Sequence, residues 1–329
     1  MKRWKKDFWA GIALVLVLSI FCGVLSAVMI PPRKDYGSVW NAYLAEKDDS
    51  LDVLYFGSSL SYCDIVPAVV WQKSGYASFV MAGPEQTPAM TYYYLRETLK
   101  TQTPQAVFIE ITGVFFSRYT NFTKVNVGYM PWGLNRLAAT FRASEPSQRL
   151  GLMFPLYNYH DRWADLPNMD WTVLWENTPD NMAGYTFLSD IAKLDGIRTR
   201  PVEFDQVTYD DNIGWLHKIA DYCTKKGVKT VFYISPSYYR LEESYLTMLE
   251  SDLPDNAVFR DFNAEFDSIG LDPTADFYDY MHFNWRGAEK FSAALANWMN
   301  ALNLTSSPAD STLWQDRLTA FEEKKEVQP

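Results

Sequence analysis

Two short stretches hold the residue types that acyl transfer needs. The first is Leu54-Tyr55-Phe56-Gly57-Ser58-Ser59-Leu60, where an apolar run passes through a glycine into a pair of serines. In open α/β sheets, ligands collect beyond the carboxyl ends of the strands. Gly57 permits a tight turn there, and Ser59 falls where a helix can begin, with backbone N–H groups nearby to stabilise an oxyanion. The plainer alternative makes Ser58 or Ser59 an ordinary N-cap. The second stretch runs from Asp276 to Asn284 (DFYDYMHFN). A nucleophilic serine needs a base that titrates near neutrality, which His282 supplies, and that base needs an acceptor to set its tautomer. Asp279, three residues earlier, is such an acceptor. Of the other two histidines, His217 lies in a helical pattern and reads as a surface or packing residue.

These residues need a scaffold that brings distant positions together. Five short runs rich in β-branched and aromatic residues read as buried strands: 52–56, 77–81, 106–111, 229–234 and 257–262. Helical patterns lie between or after them, at 88–100, at 210–226 closed by Gly227, and at 287–302. Alternating strands and helices imply an α/β fold: a three-layer, doubly wound parallel sheet of five strands, covered on both faces. Residues 114–203 break the rhythm and read as an insertion between strands three and four. The tail, 306–329, reads as a solvated helix that frays.

Ahead of the body, residues 8–30 are apolar and uncharged, and four cations precede them. About 20 residues suffice to cross the hydrocarbon layer, and Pro31-Pro32 ends the helix. The positive-inside rule keeps residues 1–34 as a cytoplasmic stub and signal anchor of the cell membrane, and exports the rest. A cleaved signal peptide is the rival reading, but its apolar core is usually ~7–15 residues, and Leu25-Ser26-Ala27 is a mediocre site. Phe21 before Cys22 is too bulky for a lipoprotein signal. Residues 1–34 carry six basic residues and one acid, net +5, which leaves the remaining chain at −15. So acidic a body argues against nucleic acid as a partner. Cys63 and Cys223 lack metal-ligand spacing and read as two buried thiols, with a Cys63–Cys223 disulfide as the alternative; no metal or other cofactor is expected.

The combination of a Gly-x-Ser-Leu turn after the first strand with an Asp-x-x-His loop before the last helix resembles the SGNH (GDSL-type) hydrolase superfamily, over residues 50–300. The run from Asp279 to Ser292 (DYMHFNWRGAEKFS) looks closest to the branch holding the D-alanyl transfer protein of teichoic acids and the alginate O-acetylation proteins. The resemblance implies a flavodoxin-like SGNH domain over 35–305, with Ser59 as nucleophile and Asp279 and His282 as its partners. It implies an oxyanion hole formed by the amides of Ser59 and of Gly83, the latter at the family's second-block glycine. A simple turn at Gly83 is the competing reading.

Two departures stand out. Ser58 replaces the Asp of Gly-Asp-Ser-Leu. The third block, Gly-x-Asn-Asp in the family, is here Glu110-Ile111-Thr112-Gly113. The oxyanion-binding Asn is missing; the Thr112 hydroxyl is the candidate substitute, and Glu110 donates only if protonated. Losing one such donor typically costs ~100–1,000-fold in rate. In the insertion, His160-Asp161-Arg162-Trp163 resembles a His-x-Arg-Trp element of the acyl-transfer branch. His160 and Arg162 are then expected to orient an acyl donor or sugar hydroxyl, and Tyr157, Tyr159 and Trp163 to stack on a sugar. The alternative makes the aromatics core and pairs Arg162 with a local acid. The implied activity is acyl transfer or hydrolysis on a cell-surface polysaccharide or teichoic-acid-like polymer, with a membrane-bound O-acyltransferase as donor partner. The rival class is a non-catalytic assembly or carbohydrate-binding subunit.

Overall fold

The structure, a computed structural model, describes residues 2–31, 39–116, 122–166, 171–306 and 310–327. Arg33, Lys34 and Asn121 lie outside them. The chain forms strands β1 (Val53–Gly57), β2 (Ser78–Ala82), β3 (Ala106–Glu110), β4 (Arg198–Thr199), β5 (Lys229–Ile234), β6 (Tyr239–Arg240) and β7 (Val258–Asp261). Five make one parallel sheet in the order β2-β1-β3-β5-β7, and β4 and β6 pair separately. The first two strands start one residue later than the apolar runs suggest because Asp52 is a tether, not a strand residue. Its carboxylate accepts from Ala77 N (3.0 Å) and Gln105 Nε2 (3.3 Å), joining the starts of the first three strands.

Successive side chains of a strand point to opposite faces, and here both faces are covered. Leu54, Phe56, Val107 and Ile109 pack with Tyr94, Leu216 and Ile219 from helices Pro88–Thr98 and Gln206–Lys226. Val53, Tyr55, Phe108 and Val231 pack with Val69, Phe291 and Leu295 from helices Pro67–Ser74 and Trp285–Met299. Buried on both sides, the strands read as continuous apolar runs.

The tail differs from expectation. Helix Ser311–Glu326 docks on the body, burying Trp314, Leu318 and Phe321. Arg317 is buried too, paired with Glu46 and lying over the Trp314 ring at 4.6 Å. The apolar residues of that helix are few but share one face, and Arg317 meets a buried counter-ion in Glu46 of the body, so the segment packs instead of fraying.

Within the insertion, Leu134–Arg142, Arg149–Met153 and Pro155–Tyr159 are short helices. Near its end, Val80 N donates to Ala183 O (2.9 Å), so the chain there lies along the outer edge of β2. Helix Lys2–Met29 precedes the body, and Trp4–Met29 is long and apolar enough to cross a membrane.

Candidate active site

β1 ends in a backbone turn that only glycine accommodates comfortably. Gly57 has φ +138°, and a Cβ there would sit 2.6 Å from Ser61 Oγ and 2.8 Å from Glu110 Cβ. The chain then enters helix Ser59–Tyr62 with Ser58 as its N-cap, accepting from Leu60 N at 3.4 Å. The two serines divide the roles that sequence left open. Ser58 is the buried cap, while the partly exposed Ser59 directs its hydroxyl elsewhere.

That hydroxyl meets His282. Ser59 Oγ lies 2.7 Å from His282 Nε2, and His282 Nδ1 lies 2.9 and 3.0 Å from the two carboxylate oxygens of Asp279. An ionised carboxylate only accepts, so Nδ1 carries the ring proton and Nε2 is left to accept from Ser59. Asp279 also accepts from the backbone N–H groups of Met281 (2.7 Å) and His282 (2.8 Å), which folds the loop onto its own base. Burial opposes charge on His282, but the Asp279 hydrogen bond and charge outweigh it and hold the imidazole pKa above 6.5. Burial works in the opposite sense on Asp279, and His282 still holds its carboxyl below the usual range.

The loop is pinned on both sides. Phe277 and Phe283 are fully buried and bridge each other. Asn284 caps helix Trp285–Met299, accepting from Arg286 N (3.0 Å), while its amide group donates to Ala275 O (2.7 Å). The pattern Asp-x-x-His-Phe-Asn thus encodes a carboxylate–imidazole pair, an apolar anchor and a helix cap.

Beneath lies a residue that sequence reasoning missed. Asp64 is fully buried and accepts from Phe283 N (3.2 Å) and Ser235 Oγ (2.5 Å), tying the segment after Ser59 to the histidine loop and the end of β5. Burial pushes its pKa up to about 8, against the pull of His282 and these hydrogen bonds. Arg200 was also missed. It sits beyond β4, where its N–H donates to Arg240 O (2.8 Å), close enough for its charge to act on both Glu110 and His282. Nothing local in the sequence marks either residue, because their partners lie far away along the chain.

The oxyanion-binding candidates are placed unequally. The Ser59 amide is in the first turn of its helix, where N–H groups have no intrahelical acceptor. Gly83 N donates to Gly57 O over a long 3.4 Å, extending the β1–β2 ladder. A Cβ at Gly83 would meet Asn126 Oδ1 at 2.0 Å, so glycine is required where the insertion presses on this turn. Thr112 is buried, with its N–H donating to Glu110 Oε1 (3.0 Å), and it lines a cleft of about 420 Å³ with Leu60, Ser235, Tyr239 and Arg240. Glu110 braces the turn from behind, accepting from Ser58 Oγ at 3.5 Å, and burial raises its pKa.

The expected substrate-binding group of the insertion has other partners. Arg162 donates to the Met29 carbonyl (2.6 Å) and pairs with Asp165 (3.1 Å). His160 stays exposed with Nδ1 3.2 Å from Tyr157 O, Lys124 lies over the Tyr159 ring at 5.7 Å, and Trp163 faces solvent. Cys63 and Cys223 are free and buried.

No protein-family model matches the chain, and no curated protein matches it. Among solved structures, one from Bacteroides fragilis, whose description assigns it provisionally to the acylhydrolases, aligns at 10% identity. It covers 82% of this chain and 99% of its own, with a TM-score of 0.37. A likeness that weak carries no argument.

Proposed function

We propose that this chain is a membrane-anchored, extracytoplasmic serine acyltransferase or esterase, of SGNH type with a doubly wound flavodoxin-like domain. The observation that carries the reading is the unbroken hydrogen-bonded series from Asp279 through His282 to Ser59, 2.7–3.0 Å at each link. Its members come from opposite ends of the body and meet beyond the carboxyl end of β1, where such folds bind ligands.

In this mechanism neutral His282 takes the Ser59 proton as Oγ attacks an ester or thioester carbonyl. The Ser59 amide stabilises the oxyanion, joined by Gly83 if its long bond to Gly57 yields and by the Thr112 hydroxyl. The imidazolium, steadied by Asp279, returns its proton to the departing alcohol or thiol. An acyl-serine remains. His282 then deprotonates water or an acceptor hydroxyl, which attacks the acyl-serine, and passes that proton to Ser59 Oγ as the acyl–oxygen bond breaks, restoring the free serine. The resemblance to the acyl-transfer branch suggests a hydroxyl of a cell-surface glycopolymer as acceptor and a membrane-bound O-acyltransferase as donor partner.

A fluorophosphonate probe tests the reading. Labelling of the full chain that vanishes in Ser59→Ala is the expected result. Folded wild-type protein that takes up no label would favour a non-catalytic assembly or carbohydrate-binding subunit, the reading that the altered third block supports. Incubation with an acyl donor and candidate glycans then separates mass gain on the sugar from release of free acid.

A further inference from the structure

The apolar helix at the amino terminus is exposed along most of its length, but its last turns are not: Met29 is fully buried, and Leu25, Ser26 and Val28 are partly so. They pack against helix Pro155–Tyr159 of the insertion. Two side chains secure the contact, Arg162 on the Met29 carbonyl (2.6 Å) and Tyr129 on the Pro31 carbonyl (2.9 Å). If the helix spans a bilayer, the height of this contact follows. About 20 residues cross the ~30 Å hydrocarbon layer. Counted from Phe8, the span emerges near residue 28, so the insertion meets it at the level of the outer headgroups.

Around that contact the insertion turns large apolar side chains outward. Phe154 is 60% exposed, Tyr157 62% and Trp163 55%. Phe154 and Tyr157 belong to the segment that touches the membrane helix, and Trp163 follows the arginine that holds Met29. Trp and Tyr concentrate at membrane–water interfaces, where a ring sits in the acyl boundary and its polar edge in the headgroups. Charge agrees: residues 122–166 hold five basic side chains and three acidic ones in a body that is otherwise strongly acidic.

We infer that Phe154, Tyr157 and Trp163 form a monotopic collar that enters the outer-leaflet interface beside the membrane helix, seating the body directly on lipid. The inference rests on the reading of residues 8–30 as a membrane span and is independent of the proposed chemistry. It commits to lipid as the occupant because the collar continues the surface of the span itself. Interfacial segments of this kind sit ~5–10 Å into the headgroup and acyl boundary.

The test uses the full chain in vesicles of phosphatidylcholine and phosphatidylglycerol, with no other protein present. In a Cys22→Ser background, spin labels are placed singly at Leu18→Cys, Tyr157→Cys, Trp163→Cys and Lys225→Cys, and their collision rates with oxygen and a water-soluble nickel chelate are compared. Labels at 157 and 163 are expected to collide with nickel several-fold less often than the label at 225, and more often than the one at 18. Nickel access at 157 and 163 equal to that at 225, with 18 protected, overturns the collar and leaves the span intact; a protein partner would then be the occupant to seek. Nickel access at 18 as well overturns the span, and the collar with it. Because Tyr157 and Trp163 are exposed, a folding defect is not expected from either change, and near-ultraviolet circular dichroism of each labelled protein checks it.

Discussion

The corner of the sheet that holds Ser59 and the insertion that follows β3 are both rich in aromatic residues, yet they use them in opposite ways. At the corner, Phe277 and Phe283 are fully buried, and three buried polar side chains brace the turns: Ser58 with Leu60 and Glu110, Asp64 with Phe283 and Ser235, Asn284 with its helix. In the insertion the helices are short, and Phe154, Tyr157, Trp163 and Trp132 point outward. A reacting pair must be held to within a fraction of an ångström, which demands locked rotamers and a braced second layer. A docking surface demands only area and position.

That contrast is sharpest where a single atom matters. Replacing Ser59 with Ala should lower ester turnover by ~10⁴–10⁶-fold, the usual loss when a catalytic nucleophile is removed. Because Ser58 and not Ser59 caps the helix, the melting temperature should hold, and turnover with thermal melts measures both. A variant that keeps turnover would remove Ser59 from the chemistry.

Asp279→Asn should cost ~10⁴-fold in kcat, as loss of the tautomer-setting carboxylate does elsewhere. A drop of less than tenfold would mean that the loop orients His282 without it. In the wild type, His282 must be neutral to act, and its pKa is held above 6.5, so the acid limb of kcat/KM should lie above that value. Removing Asp279 should move the limb down, and a pH–rate series on both proteins checks the direction.

Asp64 gives a smaller effect on stability. Its pKa is about 8 when folded, against the ordinary 3.8. Between those values the folded chain keeps a proton that the unfolded chain has released, so stability should decline as pH rises from about 4 to 8. Asp64→Asn retains an acceptor for Phe283 N and should flatten that decline. Urea titrations at pH 5 and pH 8 would detect it, and an unchanged slope would place the pH dependence on other groups.

Smallest of all, Tyr157→Ser should change global stability by no more than about 0.5 kcal/mol, as exposed substitutions do. A large loss in chemical denaturation would mean that this ring packs against protein and would blur the division between the two regions.

The amino-acid sequence alone located the five strands of the main sheet to within a residue, because buried parallel strands are continuous apolar runs and need no partner to be recognised; the exposed two-residue strands β4 and β6 carry no such run and were not legible. It also singled out Ser59, Asp279 and His282, since a glycine-serine turn and a histidine three residues after an aspartate are local patterns. Their convergence belonged to the tertiary structure: over two hundred residues separate Ser59 from His282, and only the parallel order β2-β1-β3-β5-β7 brings those turns together. The same holds for Asp64, whose partners Ser235 and Phe283 are 171 and 219 positions away. The insertion teaches the converse. Arg162 and its aromatic neighbours carry a composition that suits sugar binding, burial or a lipid surface equally, and the contact with Met29 gives that segment its place beside the membrane-length helix. Residue type limits what a side chain can do, and the neighbours that folding brings to it decide which of those things it does.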